Sequence, residues 1–349
     1  MTVSIVVACR NEARHIGPFL DSLLAQDMSG MNWEAILADG MSDDRTPEIL
    51  QSYSSRYPRL RVIANPGRIV STGLNAAIRA ARGEFILRMD AHTRYATDYC
   101  RRCLEILEMT RSDNVGGPVR SDPHGIRARA IAAAYHSRFS TGGARFHDTQ
   151  YEGWVDTVPY GCWRKKTLLQ LGLFDEALVR NQDDELNLRL VRGGGRIWQS
   201  SAIRSWYTPR SRLSDLCRQY FQYGFWKVAV IRKHRLPASW RHLVPVAFVL
   251  ANTVLIIGMA VTFAGWPAGW FRFVARLWLV LAFAYAGATL IASVITARQH
   301  ELGLLTCLPV VFASYHISYG LGFTAGLFRH ALRTAGRFED DSAFARITR

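Results

Sequence analysis

The sequence predicts an open, mostly parallel α/β sheet followed by C-terminal transmembrane helices, and three observations carry that prediction. Short apolar runs rich in β-branched residues alternate with helical periodicity through residues 3–89. Polar or acidic residues follow the runs, where open α/β sheets bind their ligands. Three stretches of the rear third, residues 243–265, 277–297 and 302–328, contain no Asp, Glu, Lys or Arg, and each exceeds the roughly 20 residues that cross a bilayer.

Residues 3–8 read as the first strand; the run is too short for a secretory signal and meets Arg10, Asn11 and Glu12 at once. A helix over 16–26 leads to a strand over 34–38 and then to the loop Asp39-Gly40-Met41-Ser42-Asp43-Asp44. The next helix, 46–57, is expected to open with Thr46 as N-cap and Pro47 as its first residue, with Asp43 or Asp44 as a further capping carboxylate. A strand over 60–64 ends at Asn65-Pro66, a helix covers 71–81, and a strand over 85–89 runs into Asp90-Ala91-His92. Cys100 and Cys103 fall in a helical run over 98–108; a single C-x-x-C without a second pair favours buried thiols over a zinc site. Residues 124–147, with His124, His136 and His147, read as loop-rich. Gln182-Asp183-Asp184-Glu185 opens a helix that Gly193-Gly194-Gly195 stops.

Composition sets the class. With 349 residues, 49% hydrophobic and 20% charged, the chain is neither disordered, nor a mini-protein, nor a disulfide scaffold. A mean hydropathy of zero averages two unlike parts. Residues 241–349 hold 9 Lys and Arg against 4 Asp and Glu, leaving 34 and 24 for the front, so +10 of the +15 formal charge lies there. No G-x-G-x-x-G follows the first strand and no Walker A lysine occurs, which argues against a dinucleotide enzyme and a P-loop NTPase. Residues 211–241 interleave aromatics with Arg and Lys just before the first apolar stretch. That position suits anionic membrane lipid and argues against nucleic acid. The expected organisation is therefore a sheet domain over 1–210, an interfacial segment over 211–241, a membrane domain of two or three helices over 242–330, and a polar tail over 331–349.

Four elements occur in order: V-V-A-C-R-N-E at the first strand, the acidic loop from Asp39 to Asp44, Asp90-Ala91-His92, and Asn181-Gln182-Asp183-Asp184-Glu185-Leu186. Together they resemble the family 2 inverting glycosyltransferases, whose GT-A domain, a Rossmann-like open sheet, binds a nucleotide sugar. The runs RMDAHTRY, DNVGGPV, RNQDDELNLRL and QYFQYGFWK are similar to a membrane-anchored glucosyltransferase subgroup of succinoglycan assembly. The resemblance covers about residues 1–330.

Residue roles follow from that resemblance together with the chemistry. Asp90 would hold a divalent cation, Mn²⁺ or Mg²⁺, on the sugar diphosphate. His92 stands where the family has a second Asp, and an imidazole suits Mn²⁺ better than Mg²⁺. A plain strand-end turn is the alternative. Asp39 is the candidate that accepts from the imide N–H of uracil, with Ala8, Arg10 and Glu12 as neighbours of base and ribose; Ala8 replaces the family's usual Pro. Asp183 aligns with the general base, where Asp184 and Glu185 crowd it and would raise a carboxylate pKa. Acids at a helix N-terminus also satisfy the macrodipole, which is explanation enough for Asp184 and Glu185. Gln222 and Trp226 match the element that lines the acceptor site in processive relatives, although Phe225 stands where they carry Arg. An interfacial Trp is the competing reading, and one sugar added per encounter is expected. In the third apolar stretch Ser314, Ser318, Gly322 and Gly326 form a small-residue face. Arg232, Lys233, Arg235 and Arg241 before the first stretch and Arg329, Arg333 and Arg337 after the third both favour the cytoplasmic side, which three spans cannot satisfy. The expected activity is transfer of a sugar, glucose by resemblance, from a UDP-sugar to a saccharide on a polyprenyl-diphosphate carrier, at the inner membrane with the sheet domain cytoplasmic. Transfer to the lipid phosphate itself, or a non-catalytic scaffold, are the alternatives.

Overall fold

The computed structural model describes residues 1–235, 239–265 and 268–334. Most of the expected polar tail, with Arg337, lies outside the described residues, as do 236–238 of the interfacial segment. The chain divides into two compact units: Met1–Asp122 with Arg145–Thr208, and Pro123–Ala144 with the chain from Pro209 onward. The sequence reading kept 123–144 in the sheet domain, and the structure groups it with the apolar unit.

The first unit begins β1 (Thr2–Cys9), α1 (Ile16–Leu24), β2 (Asn32–Asp39), α2 (Thr46–Arg56), β3 (Leu60–Ala64), α3 (Val70–Ala80), β4 (Phe85–Arg88), β5 (Thr93–Tyr95), α4 (Tyr99–Thr110), β6 (Asn114–Gly116) and β7 (Val119–Ser121). After the excursion α5 (Ile126–His136) and α6 (Arg138–Thr141), which belongs to the second unit, it continues with β8 (Gly153–Val155), β9 (Cys162–Arg164), α7 (Lys165–Leu171), α8 (Gln182–Arg192), β10 (Ile197–Gln199) and β11 (Ser205–Tyr207).

The main sheet has the order β3-β2-β1-β4-β9-β6-β10-β8, and a small sheet has the order β5-β11-β7. β3, β2, β1 and β4 are parallel, as the sequence predicts, whereas β9 runs antiparallel to both β4 and β6. β6 and β10 form a further parallel pair, so the departure from the expected sheet is the antiparallel β9 inserted between β4 and β6, with β8 antiparallel at the edge. β1 is apolar along nearly its whole length because both faces are covered. Val3, Ile5 and Val7 pack with Phe19, Leu20 and Leu104, while Val6 joins Leu74, Ile78, Trp163 and Leu186 on the other face. Cys100, Cys103 and Cys162 lie fully buried in the first of these cores, and desolvation pushes the Cys162 thiol up to about 12. They are packing residues. The second helix starts one residue earlier than expected: Thr46 is its first residue, and Asp44 Oδ1 accepts from the Thr46 N–H at 2.9 Å.

The second unit holds α9 (Leu213–His234), α10 (Val244–Gly265), α11 (Ala268–Gln299) and α12 (Leu308–Thr334). Residues 126–136, read from sequence as loop, form the helix α5, whose buried Ala130, Ile131, Ala133 and Ala134 pack with Val311, Phe312 and Tyr315 of α12. The Tyr315 hydroxyl donates to the Ile131 carbonyl at 3.1 Å. Glycines let α9 and α12 approach backbone to backbone: a Cβ on Gly322 would strike the Phe221 carbonyl, and one on Gly224 the Tyr319 carbonyl. His316 Nε2 donates to the Phe139 carbonyl at 2.9 Å, and its Nδ1 lies 3.1 Å from the Tyr285 hydroxyl. It is a packed polar residue.

Among the described residues two helices are long and apolar enough to cross a membrane, Trp240–Phe263 and Gly269–Gln299. They are not the core helices of a soluble protein, because Val254, Ile257, Phe263, Val280, Phe283 and Ile291 all stand exposed.

Candidate active site

The parallel strands deliver their C-terminal residues to one edge. β1 and β2 end together, Cys9 opposite Asp39, and the loops that follow are laced to each other. The Gly40 N–H donates to the Cys9 carbonyl at 2.8 Å, the Asn11 N–H to Ser42 Oγ at 2.9 Å, the Asp43 N–H to Asn11 Oδ1 at 3.0 Å, and the Glu12 N–H to Thr46 Oγ1 at 2.8 Å. Asn11 and Met41 adopt left-handed backbone, both at φ 56°, which turns the two loops back on themselves.

Asp39 shapes this turn. Its Oδ1 accepts from the Ser42 hydroxyl at 2.5 Å and its Oδ2 from the Ser42 N–H at 3.1 Å. Each oxygen retains a second lone pair, so the carboxylate can still receive a ligand N–H. The Arg10 side chain lies along Gly40, where an added Cβ would come within 3.0 Å of it. The Arg10 Nε is buried with no hydrogen-bond partner among the described residues. Ala8 faces α3 at Gly73, whose hydrogen leaves room that a methyl group would fill. An open cavity of about 670 Å³ beside these loops is lined by Asn11, Arg14, Asp43 and Glu48 among others, but not by Asp39, Asp90, His92 or Asp183. Chemistry, not concavity, locates the site.

Asp90, His92 and Glu12 converge. His92 Nδ1 lies 3.1 Å from Asp90 Oδ1 and 3.4 Å from Glu12 Oε1, with all three side chains partly open to solvent. The turn is fixed from behind, where the Asp90 N–H donates to the Tyr95 hydroxyl at 2.7 Å. The Tyr207 ring closes one side, 6.1 Å from the imidazole. Two carboxylates and an imidazole suit a divalent ion such as Mn²⁺ or Mg²⁺ in donor type. Among the described residues no group of three or more His, Cys, Asp or Glu is placed to hold a metal ion by itself. A cation here would therefore complete its shell with ligand oxygens, as diphosphate-bound ions do.

Asp183 enters from α8, whose Asn181 flank is left-handed at φ 60°. Arg88 Nη1 of β4 donates to Asp183 Oδ1, and the two side chains are 6% and 34% exposed respectively. Loss of solvent raises the Asp183 pKa, Arg88 opposes this, and the nearby Asp184 and Asp90 add to the rise. Glu185 is elsewhere: fully buried, it binds Arg189 at 2.7–3.0 Å. Asp184 is half-exposed beside Asp183. Neutral polar residues clamp the approach to α8. Asn75 donates to the Phe174 carbonyl at 2.8 Å and accepts from the Phe174 N–H at 2.9 Å, the Ser71 hydroxyl donates to the Leu178 carbonyl at 3.0 Å, and Asn187 donates to Thr157 Oγ1 at 2.7 Å.

The first unit thus brings together Asp90, His92 and Glu12, and builds Ala8, Arg10 and Asp39 onto the same strand edge. Arg88, Asn75, Ser71 and Asn187 escaped the sequence reading. Arg88 and Asn187 lie within the runs RMDAHTRY and RNQDDELNLRL, and Arg88 is also one charge inside an apolar strand, but neither carries a role in the sequence reading. Gln222 and Trp226 belong to the second unit. Gln222 is buried on α9, and the part-buried Trp226 has an indole N–H with no acceptor among the described residues.

An open sheet with Asp39 and Asp90 at the carboxyl ends of β2 and β4 has the form of a GT-A glycosyltransferase domain. Comparison with known sequences gives the family: residues 4–169 match the description "Glycosyl transferase family 2". The chain is 31% identical over 266 residues to the succinoglycan biosynthesis protein ExoA of Rhizobium meliloti, covering 76% of this chain and 79% of that one. It is 25% identical over 336 residues to a dolichyl N-acetyl-alpha-D-glucosaminyl phosphate 3-beta-D-2,3-diacetamido-2,3-dideoxy-beta-D-glucuronosyltransferase of Methanococcus voltae, covering 94% and 97%. The chain belongs to glycosyl transferase family 2 and is an enzyme of that class. In fold it is similar to the mannosyltransferase PcManGT of Pyrobaculum calidifontis, solved with GDP-Man and Mn²⁺, at a TM-score of 0.59 and 18% identity over 92% of this chain and 86% of that one.

Proposed function

We propose that the protein transfers a sugar, glucose in our reading, with inversion from a UDP-sugar to a saccharide carried on a membrane-embedded polyprenyl diphosphate. The observation that carries this reading is Asp183. It is a partly open carboxylate held by a buried cation, and it belongs to the unit whose strand edge carries Asp90. In the transfer, the acceptor oxygen attacks the anomeric carbon on the face opposite the leaving group while Asp183 takes its proton. The bond from the anomeric carbon to the diphosphate breaks and its electron pair leaves with UDP. In this reading Asp39 accepts the uracil N–H, and Arg10, whose Nε–H is unmet among the described residues, and the backbone of Ala8 serve the rest of the nucleoside. A divalent cation held by Asp90 and His92, with Glu12 beside them, would offset charge growing on the diphosphate.

The names of two relatives support the pathway class, polysaccharide or lipid-linked saccharide biosynthesis: one is a succinoglycan biosynthesis protein and the other acts on a dolichyl-linked sugar phosphate. A fold neighbour bound to GDP-Man and Mn²⁺ supports a nucleotide-sugar donor and a divalent ion in general. The two apolar helices support attachment beside a lipid-borne acceptor, with the basic, aromatic α9 against anionic headgroups and the sheet unit on the cytoplasmic side of the inner membrane. Membranes holding the full chain, given labelled UDP-glucose, lipid extract and Mn²⁺ or Mg²⁺, should yield a lipid-extractable glycan one hexose longer. Failure to release UDP from any UDP-sugar would defeat the reading. A product of polyprenyl phosphate bearing one sugar would instead make the lipid phosphate the acceptor.

A further inference from the structure

β4 carries one charge among apolar residues. Phe85, Ile86 and Leu87 are fully buried, and Arg88 is only 5% exposed. Alternation along the strand turns Arg88 to the same face as Ile86, toward the core that holds Trp163, Phe174 and Leu186. Its guanidinium lies 5.9 Å from the centroid of the Tyr160 ring and 6.0 Å from that of Phe174. The Arg88 N–H donates to the Gly161 carbonyl at 3.1 Å, which ties the strand to the segment carrying Tyr160. At the far end of the side chain, Nη1 meets one oxygen of Asp183, and among the described residues the other oxygen accepts no hydrogen bond.

Stability does not call for this arrangement. A buried ion pair is commonly replaced by apolar residues of similar volume without loss, because desolvating both charges offsets their attraction. An arginine held beside two aromatic rings instead restricts where its planar head can sit. We infer that Arg88 is a positioning residue for the transfer reaction: it fixes Asp183 by Oδ1 from beneath and leaves Oδ2 for the acceptor hydroxyl. This rests on the reading of Asp183 as the general base.

The test uses the full-length enzyme in lipid nanodiscs, with UDP-glucose and extracted acceptor, and compares Arg88→Met, Arg88→Lys, Asp183→Asn and Arg88→Met/Asp183→Asn. The proposal expects Arg88→Met to lower kcat by about 100-fold, within the range a positioned base supplies. Donor KM should stay within about threefold of the parent, since a group that acts only through the base does not hold the ground-state donor. Arg88→Lys should restore about tenfold of the lost rate, because it keeps the charge without the planar fork. In the Asp183→Asn background, Arg88→Met should add no further loss, as two parts of one device are not additive. Multiplying losses, or a donor KM that rises while kcat holds, would show Arg88 acting elsewhere and overturn the proposal. Asp183→Asn at near-parent activity would defeat the base reading whatever Arg88 does, whereas an inactive Asp183→Asn beside a fully active Arg88→Met would defeat only the role of Arg88. Should Arg88→Met not fold, Arg88→Lys decides, and an unchanged kcat there overturns the proposal.

Discussion

Asp183 is set apart from the other acids by what surrounds it. Desolvation raises its pKa while Arg88 restrains the rise. A base works only in its ionised form, so kcat/KM is expected to fall as pH is lowered through a value above the ordinary carboxylate pKa of about 4. Asp183→Asn should cost about 100- to 10,000-fold in kcat and abolish that acid limb in the remaining activity, as a pH series on both proteins would reveal. The sequence placed this carboxylate correctly at the head of a helix but attributed its basicity to crowding by Asp184 and Glu185. The structure removes Glu185 from that account, because helical geometry turns it inward onto Arg189. Arg88 could not be read as a partner of Asp183, since 95 residues separate them and sequence spacing carries no information about that contact.

At the scale of elements, the sheet is tied laterally by one acid. Glu34 of β2 accepts from the Ser4 hydroxyl of β1 at 2.9 Å, from Arg61 of β3 at 2.9 Å, and from the Arg82 N–H beyond α3 at 2.6 Å. Burial alone would raise its pKa, but these donors more than compensate and hold it below its ordinary value. A depressed carboxylate adds stability that is present above its unfolded pKa of about 4.3 and is lost as pH falls through the folded value. Glu34→Gln should therefore cost about 1–3 kcal/mol near neutrality and less in acid, measurable by denaturant melts at two pH values. The α9–α12 crossing makes a second case. Gly322→Val would drive a side chain into the Phe221 backbone, where carbonyls cannot yield as a flexible side chain would. Overpacking of that kind costs about 1–3 kcal/mol or more, and a lower thermal midpoint in detergent is expected, whereas Gly269→Ala, with nothing within 4 Å of its Cβ, should be silent. The small-residue face is legible in sequence at Gly322 and Gly326, but its partner is not, because nothing in the interfacial segment 211–241 signals that Phe221 and Gly224 meet α12 backbone to backbone. Strands β6 to β11, three residues each, also lay below what alternation can reveal, because three residues hold too little pattern to distinguish strand from turn.

For the whole molecule, the number of spans decides where both ends of the membrane unit lie. Three charge-free stretches created a conflict in the sequence, because the cations before the first and after the third prefer the same side. α12 relieves it. One flank packs on α9 through Gly322 and Gly326, and another meets α5 through Val311, Phe312 and Tyr315, so it is committed to protein contacts that a lone lipid-facing helix would lack. Two crossings, by α10 and α11, would return the chain to the side it left and put Arg232, Lys233 and Arg329 on that side together. This arrangement predicts that a cysteine replacing Gly269, the first residue of the second span, reacts with a membrane-impermeant maleimide added outside intact cells. A cysteine replacing His300, just after α11, should react only once the membrane is opened. Cys217 and Cys307 are the half-exposed native thiols, so the assay is run with both changed to Ser. External labelling at His300→Cys would mean that α11 does not return the chain, and the cations after α12 would then lie opposite those before α10.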